Sequence, residues 1–137
     1  MTEFLLDANA AIAIIRRRPQ SVGERLIVAS DSGDAVAISS VALAELHFGA
    51  AKSQQPNRSL QSIDKLLAGG MPVIAFEEED AACLGQLRAA LERNGTPIGS
   101  YDLMIAAQAV RRGMVVVTNN VREFERVENL SIVDWST

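Results

Sequence analysis

Asp7 directly follows the apolar run Phe4-Leu5-Leu6. A carboxylate at that place either closes a turn and caps the next helix, or sits where a strand delivers it for chemistry. Asn9, two residues on, carries an amide that can orient a carboxylate, bind phosphate or cap a helix. Glu45 lies within Val41-Ala42-Leu43-Ala44-Glu45-Leu46. At helical spacing it shares a face with Val41 and Phe48, so this helix is expected to be buried nearly all round. A buried carboxylate is costly unless it is paired, hydrogen-bonded or metal-bound. Asp102 falls in the first turn of another apolar helix, where the helix dipole alone also favours an acid. Thr118-Asn119-Asn120 follows Val115-Val116-Val117 and brings hydroxyl and amide oxygens to a strand end, or forms a polar turn.

The combination says more than any member. Oxygen donors without Cys or His pairs select hard cations, Mg²⁺ or Mn²⁺. Such sites bind through a few carboxylates plus a phosphate. The chemistry implied is phosphodiester hydrolysis, in which a metal polarises the phosphoryl oxygen and lowers the pKa of a bound water.

These residues need a scaffold that brings strand ends and helix starts to one edge. Short apolar strands alternate with helices along the chain. Strands are expected at Phe4–Leu6, Val36–Ile38, Val73–Phe76, Val115–Val117 and Ser131–Val133. Helices are expected over Ala10–Arg17, Ser21–Ser30, from Ser39 or Ser40 to about Phe48 and Gly49, Leu60–Leu67, Glu77–Arg93 and Tyr101–Arg112. Gln54–Arg58, with Pro56, reads as a loop or helix start. Ser100 is expected to cap the last helix and Gly113 to stop it. Cys83, Leu84, Leu87, Ala90 and Leu91 form one stripe at helical spacing, which makes Cys83 a core residue. The strands are continuous apolar runs, as in parallel sheets covered on both faces. The fold class is α/β, a three-layer α/β/α domain with a mostly parallel sheet of about five strands, and residues 1–137 form one domain. In such sheets ligands bind beyond the carboxyl ends of the strands.

Composition sets further bounds. The one cysteine excludes an internal disulfide, and no apolar run approaches the length of a membrane span. The positive charges Arg16-Arg17-Arg18 follow the first apolar stretch, the reverse of a secretory signal, so a cytoplasmic location is expected. Net charge is −4, which by itself disfavours nucleic acid as a partner, so binding would lean on a divalent ion and a local basic rim. Arg16-Arg17-Arg18, Arg111-Arg112, Arg122 and Arg126 are the candidates for that rim, or are solvated helix ends. His47 projects from the same helix as Glu45 on a different face, and a surface or packing role is expected for it.

The segments Phe4-Leu5-Leu6-Asp7-Ala8-Asn9, Ile38-Ser39-Ser40 leading to Ala44-Glu45-Leu46, Gly95-Thr96-Pro97-Ile98-Gly99-Ser100-Tyr101-Asp102, and Val117-Thr118-Asn119-Asn120 with Glu123-Phe124 together resemble the PIN-domain ribonucleases. The likeness is strongest to the VapC toxins of type II toxin–antitoxin pairs, and it runs in order to Val133-Asp134-Trp135. The resemblance implies a PIN fold and a Mg²⁺-dependent endoribonuclease. In it, Asp7 and Asp102 would be direct metal ligands, and Glu45 would complete the site and position or deprotonate the water. Asn9, Thr118, Asn120 and Glu123 would support them. The family often carries a fourth acid in a Thr-x-Asp motif where this chain has Asn120, which supplies an oxygen but no charge; Glu123, three residues on, would supply that charge. Ala8 stands where many relatives have Thr or Ser, so a hydroxyl contact is lost. The resemblance also implies a VapB-like antitoxin, a homodimer formed through the helices from Leu60 and from Ala81, and transfer RNA cut in the anticodon loop, including the initiator.

Three other readings compete. A receiver-type signalling domain would need paired acids after the first strand and a Lys after a later one, and the chain has neither. An Asp-x-Asp phosphatase fails because Asn9 replaces the second acid. A catalytically inactive PIN-like binding subunit would not need three acids at the family's positions.

Overall fold

A computed structural model describes residues 1–137. The elements run β1 (Glu3–Leu6), α1 (Ala8–Arg16), α2 (Gln20–Asp31), β2 (Ala35–Ser39), α3 (Ser40–Ala51), α4 (Pro56–Ala68), β3 (Val73–Ile74), α5 (Glu78–Arg93), α6 (Ser100–Arg112), β4 (Val115–Val117), α7 (Val121–Phe124) and β5 (Ser131–Val133). The sheet order is β3-β2-β1-β4-β5 and every pairing is parallel. Neighbouring residues Leu5 and Leu6, Ala37 and Ile38, and Val116 and Val117 are all buried. Successive strand side chains point to opposite faces, so both faces of the sheet are covered, as the unbroken apolar runs predict.

The chain builds outward from β1 to β2 and β3, then returns to the other side of β1 to lay down β4 and β5. The order therefore reverses between β1 and β4. A crevice opens at such a switch point, beyond the carboxyl ends of the two strands. Asp7 follows β1 and Thr118 follows β4, so the topology delivers both to that crevice.

Several elements differ from the expectations, each for a local reason. β3 holds only Val73 and Ile74, because the backbone beyond it bonds to side chains instead of a strand. The Phe76 N–H donates to Ser40 Oγ at 3.1 Å, and the Ala75 carbonyl accepts from Arg112 at 3.3 Å. α3 continues through Gly49 to Ala51; one helical glycine costs only about 1 kcal/mol, and Ala50 beyond it is buried. Pro56 opens α4 at its first turn, where its missing N–H is no loss. Gly99, not Ser100, caps α6, and Ser100 is its first helical residue. Gly113, at φ 67°, ends α6 as expected. α7 is too short to show a periodicity in sequence.

α3 is not buried all round. Val41, Ala42, Leu46 and Ala50 face the core, but His47 is exposed and Phe48 is 66% exposed beneath the Lys52 ammonium. The α5 stripe is only half-buried apart from Leu91, and Cys83 lies at its margin, not in the core. α6 is the central helix: Leu103, Ile105, Ala106, Ala107 and Ala109 are all buried. Gln108, also buried, pins this helix to the sheet. Its Oε1 accepts from Ser39 Oγ, and its Nε2 donates to the Ile74 carbonyl at 2.9 Å.

Candidate active site

Asp7 is 3% exposed. Its Oδ1 accepts from the Ala10 N–H at 2.9 Å, so it is the N-cap of α1. Its own N–H donates to the Val117 carbonyl at 3.3 Å, which ties the end of β1 to the end of β4. The capping reading and the chemical reading of Asp7 are thus compatible, since one oxygen caps the helix while the carboxylate faces the crevice acids. Burial pushes its pKa from 3.8 up to about 6; the Thr118 hydroxyl and the Ala10 N–H pull it down, and Asp102 pushes it up again.

Asp102 and Glu45 feel the same field. Burial raises the Asp102 carboxyl, the Glu123 carboxylate raises it further, and an Asn120 hydrogen bond opposes both. Burial raises Glu45, and Asp102 and then Asp7 add to that. None of these three acids makes an ion pair with a Lys or Arg. Asp7 before α1, Glu45 on α3 and Asp102 on α6 are far apart in the chain, yet Asp102 acts on both others and Asp7 acts on Glu45.

The polar residues after β4 organise these acids. Thr118 is buried, and its Oγ1 accepts from the Asn120 N–H at 2.9 Å. Asn120 Nδ2 donates to Asp102 Oδ2 at 3.1 Å and to Glu123 Oε2 at 2.8 Å. The sequence suggests Asn120 as an oxygen donor, but here its nitrogen faces the carboxylates and bridges them. Glu123 is committed as well: its Oε1 accepts from the Gly99 N–H, and that bond holds its pKa below the ordinary value. One glutamate thereby closes the loop before α6 and sets the position of Asp102. Asn9 is exposed, and its Nδ2 donates to Asn119 Oδ1 at 3.3 Å. Asn119 stands in the Thr118-Asn119-Asn120 segment, but its pairing with Asn9 is visible only in the fold.

The donor set is carboxylate, amide and hydroxyl oxygen, with no imidazole or thiol. No three His, Cys, Asp or Glu side chains converge closely enough to make a ready cage for one ion. The set suits a hard cation that keeps several waters and takes one or two carboxylates, as Mg²⁺ does. Uncompensated mutual repulsion of the acids is the electrostatic counterpart of that fit.

A PIN domain model matches residues 4–130. The chain is 42% identical to the tRNA(fMet)-specific endonuclease VapC of Salmonella typhimurium over 135 residues, 98% of this chain and 99% of that one. It is 44% identical to the protein of the same name from Shigella flexneri over 136 residues, 99% of this chain and all of the relative. The chain belongs to the VapC family of PIN-domain ribonuclease toxins. Solved VapC relatives carry the same fold. The DNA-bound VapBC of Salmonella typhimurium superposes with a TM-score of 0.89 at 42% identity, covering 98% of this chain and 99% of that one. VapBC2 of Rickettsia felis, bound to a fragment of its promoter, superposes with a TM-score of 0.91 at 33% identity and the same coverage.

Part of the expected basic rim lies elsewhere in this VapC-family fold. Arg111 and Arg112 bind Asp80 and Glu77 on α5 and in the turn before it, so they are not a free RNA-facing surface. Arg126 donates to the Pro97 carbonyl at 2.7 Å. Arg16, Arg17, Arg18 and Arg122 are exposed and unpaired.

Proposed function

We propose that the chain, one PIN domain over residues 1–137, is the toxin of a type II pair and a Mg²⁺-dependent endoribonuclease that cuts transfer RNA in the anticodon loop, the initiator included. What supports the reading is that Asp102 raises the pKa of both Asp7 and Glu45, Asp7 raises that of Glu45, and none of the three makes an ion pair with a cation. Two relatives above 40% identity are named tRNA(fMet)-specific endonucleases, which supports the substrate. The VapBC complexes among solved relatives support a VapB-like antitoxin as partner.

Asp7 and Asp102 would hold the ion, with Glu45 completing the set; Mn²⁺ would serve in place of Mg²⁺. A bound divalent ion supplies charge neutralisation at the phosphate and acidifies a water. The chain's own residues do the rest. Thr118 and the α1 amides orient Asp7. Asn120 and Glu123 orient Asp102. Glu45, half-buried with a raised pKa, is suited to take the proton of the attacking water. Asn9 and Asn119, paired at the crevice edge, offer amides to the backbone of the RNA.

The test is cleavage of purified tRNA(fMet) against a panel of other tRNAs, with and without chelator. Cuts in the anticodon loop that vanish with chelator and in Asp7→Asn support the proposal. Cleavage insensitive to both would overturn it.

A further inference from the structure

Charge pairing is unevenly distributed over the molecule. Every ion pair lies within α5 or joins α5 and Glu77 to α6. On the opposite side, Arg16 of α1 and Arg58 of α4 make no ion pair; Arg58 only leans on Gln55 at 3.4 Å. Both line a cavity of about 480 Å³ between α1, α3 and α4. Glu45, one of the three acids of the candidate site, is part of its wall. Arg16 also borders a second cavity, of about 400 Å³, on the side of Asn9, Thr118 and Asn119. The two hollows thus flank α1, and each touches a residue of the crevice.

The first cavity has the attributes of a nucleotide pocket. Its volume falls in the roughly 300–1,000 Å³ range of small-molecule sites. Ile12, Leu46 and Ile63 offer apolar floor, Gln55 and Ser59 offer both donors and acceptors, and two unpaired guanidiniums stand at hand. Sequence-specific RNA binding takes unstacked bases into pockets of this kind, stacks them on aromatic or guanidinium planes, and reads their edges by hydrogen bonds. With no aromatic residue in the lining, an arginine plane is the available stacking surface.

We propose that the α1–α3–α4 cavity is the subsite for a nucleotide beside the scissile phosphate, with Arg58 holding its phosphate or stacking on its base and Gln55 and Ser59 reading its edge. This rests on the ribonuclease reading and adds the origin of its sequence preference. Apolar floor also suits a peptide. The unpaired cations, the amide and hydroxyl groups and the shared wall at Glu45 favour RNA.

The test separates binding from cutting. In an Asp7→Asn background with magnesium present, short single-stranded RNAs spanning the cut site are titrated by fluorescence anisotropy at several salt concentrations. Arg58→Ala is expected to weaken binding about tenfold and to lower the logarithmic salt slope by about 0.7, the share of one phosphate on a single strand. Arg58→Lys is expected to restore the salt slope but not the full affinity. With Asp7 intact, Gln55→Ala and Ser59→Ala are expected to flatten the preference at one nucleotide position beside the cut. Arg88→Ala, on the paired side, is the unchanged control. Unaltered affinity, slope and preference in the cavity variants would overturn the subsite, and so would variants that lose only antitoxin binding, which would make the cavity a peptide groove. A chain that binds RNA but never cuts it, with its Arg58 dependence intact, would instead count against the ribonuclease reading alone. A chain that binds no RNA overturns both.

Discussion

Asp7 and Asp80 are both almost fully shielded from water, at 3% and 0% exposure, and their acidities move in opposite directions. Asp7 sits among other acids and is pushed up to about 6. For Asp80, burial also raises the pKa, but hydrogen bonds from Arg112, Arg111 and the Glu77 backbone outweigh it and bring the pKa down to about 2. Arg111 Nε and Arg112 Nη1 each donate to Asp80 Oδ1 at 2.7 Å, and the Glu77 N–H donates to Oδ2 at 2.7 Å. Burial alone therefore does not mark a functional carboxylate. What distinguishes the two is the company: one is neutralised from within the chain, and the other is left for something outside it.

The sharpest way to break this comparison is to neutralise each acid in turn. Asp7→Asn keeps a good N-cap and removes a destabilising charge. Activity on RNA is expected to fall about a thousandfold or more, while thermal stability holds or rises. A clear loss of stability without loss of cleavage would make Asp7 a structural residue only.

Asp80→Asn should do the reverse. It takes from Arg111 and Arg112 their buried partner, leaving only the more exposed Glu77 to pair with them, and weakens the α5 capping box. Stability measured by urea denaturation is expected to fall by about 3 kcal/mol, the low end for a broken buried pair because Arg111 remains partly in water. Cleavage per folded molecule should not change. An equal loss of cleavage would mean that the α5–α6 cluster reaches the crevice.

The two aspartates also leave opposite marks on pH dependence in the metal-free protein. A raised folded pKa means the native state prefers the protonated acid. Asp7 therefore costs no stability below its unfolded value of 3.8, and its cost grows as pH rises to about 6. That cost is on the order of 3 kcal/mol, for a shift of about two pKa units. Asp80 has a lowered folded pKa, so it stabilises above 3.8 and that contribution is lost as pH falls toward 2. Denaturation midpoints across pH 3 to 7 should show the decline between about 4 and 6 shrink in Asp7→Asn, with Glu45 and Asp102 supplying what is left, and the acid-side loss shrink in Asp80→Asn. Saturating Mg²⁺ should flatten the first slope and leave the second untouched.

Asn120→Asp probes the comparison most gently. It replaces an amide that donates to Asp102 and Glu123 with a third negative charge beside them. Metal-free stability should drop by about 1 kcal/mol, and calorimetric titration should show tighter divalent binding. Weaker metal binding would show that the Asn120 bridge, which holds Asp102 in place, matters more than added charge.

Much of this was legible in the sequence, and the gaps have physical causes. Unbroken apolar runs marked the strands because both sheet faces are buried, and Gly113 marked the end of α6 because only a left-handed residue fits there. β3 was overestimated because side chains of Ser40 and Arg112, remote in sequence, take over the backbone bonds of Ala75 and Phe76. Nothing in the sequence marks Asp80, since the helix dipole accounts for a first-turn acid without any partner. Arg111 and Arg112 read equally as a basic rim or as solvated helix ends, because Asp80, which binds both, lies 31 and 32 residues away in the chain. Phe48 shares a helical face with Val41 and Glu45, which suggests burial nearly all round, yet it lies outside the core.

From the sequence alone come the α/β alternation, the acids at strand and helix ends, and the oxygen-only donor set. These are local properties, encoded in periodicity, turn chemistry and residue type within a few positions. Tertiary structure alone decided which acids face one another, which arginines are already spent, and that Asn120 turns its nitrogen to Asp102 and Glu123. Those outcomes depend on contacts such as Asn9 with Asn119, 110 residues apart, and Coulomb energy depends on distance through space, not along the chain.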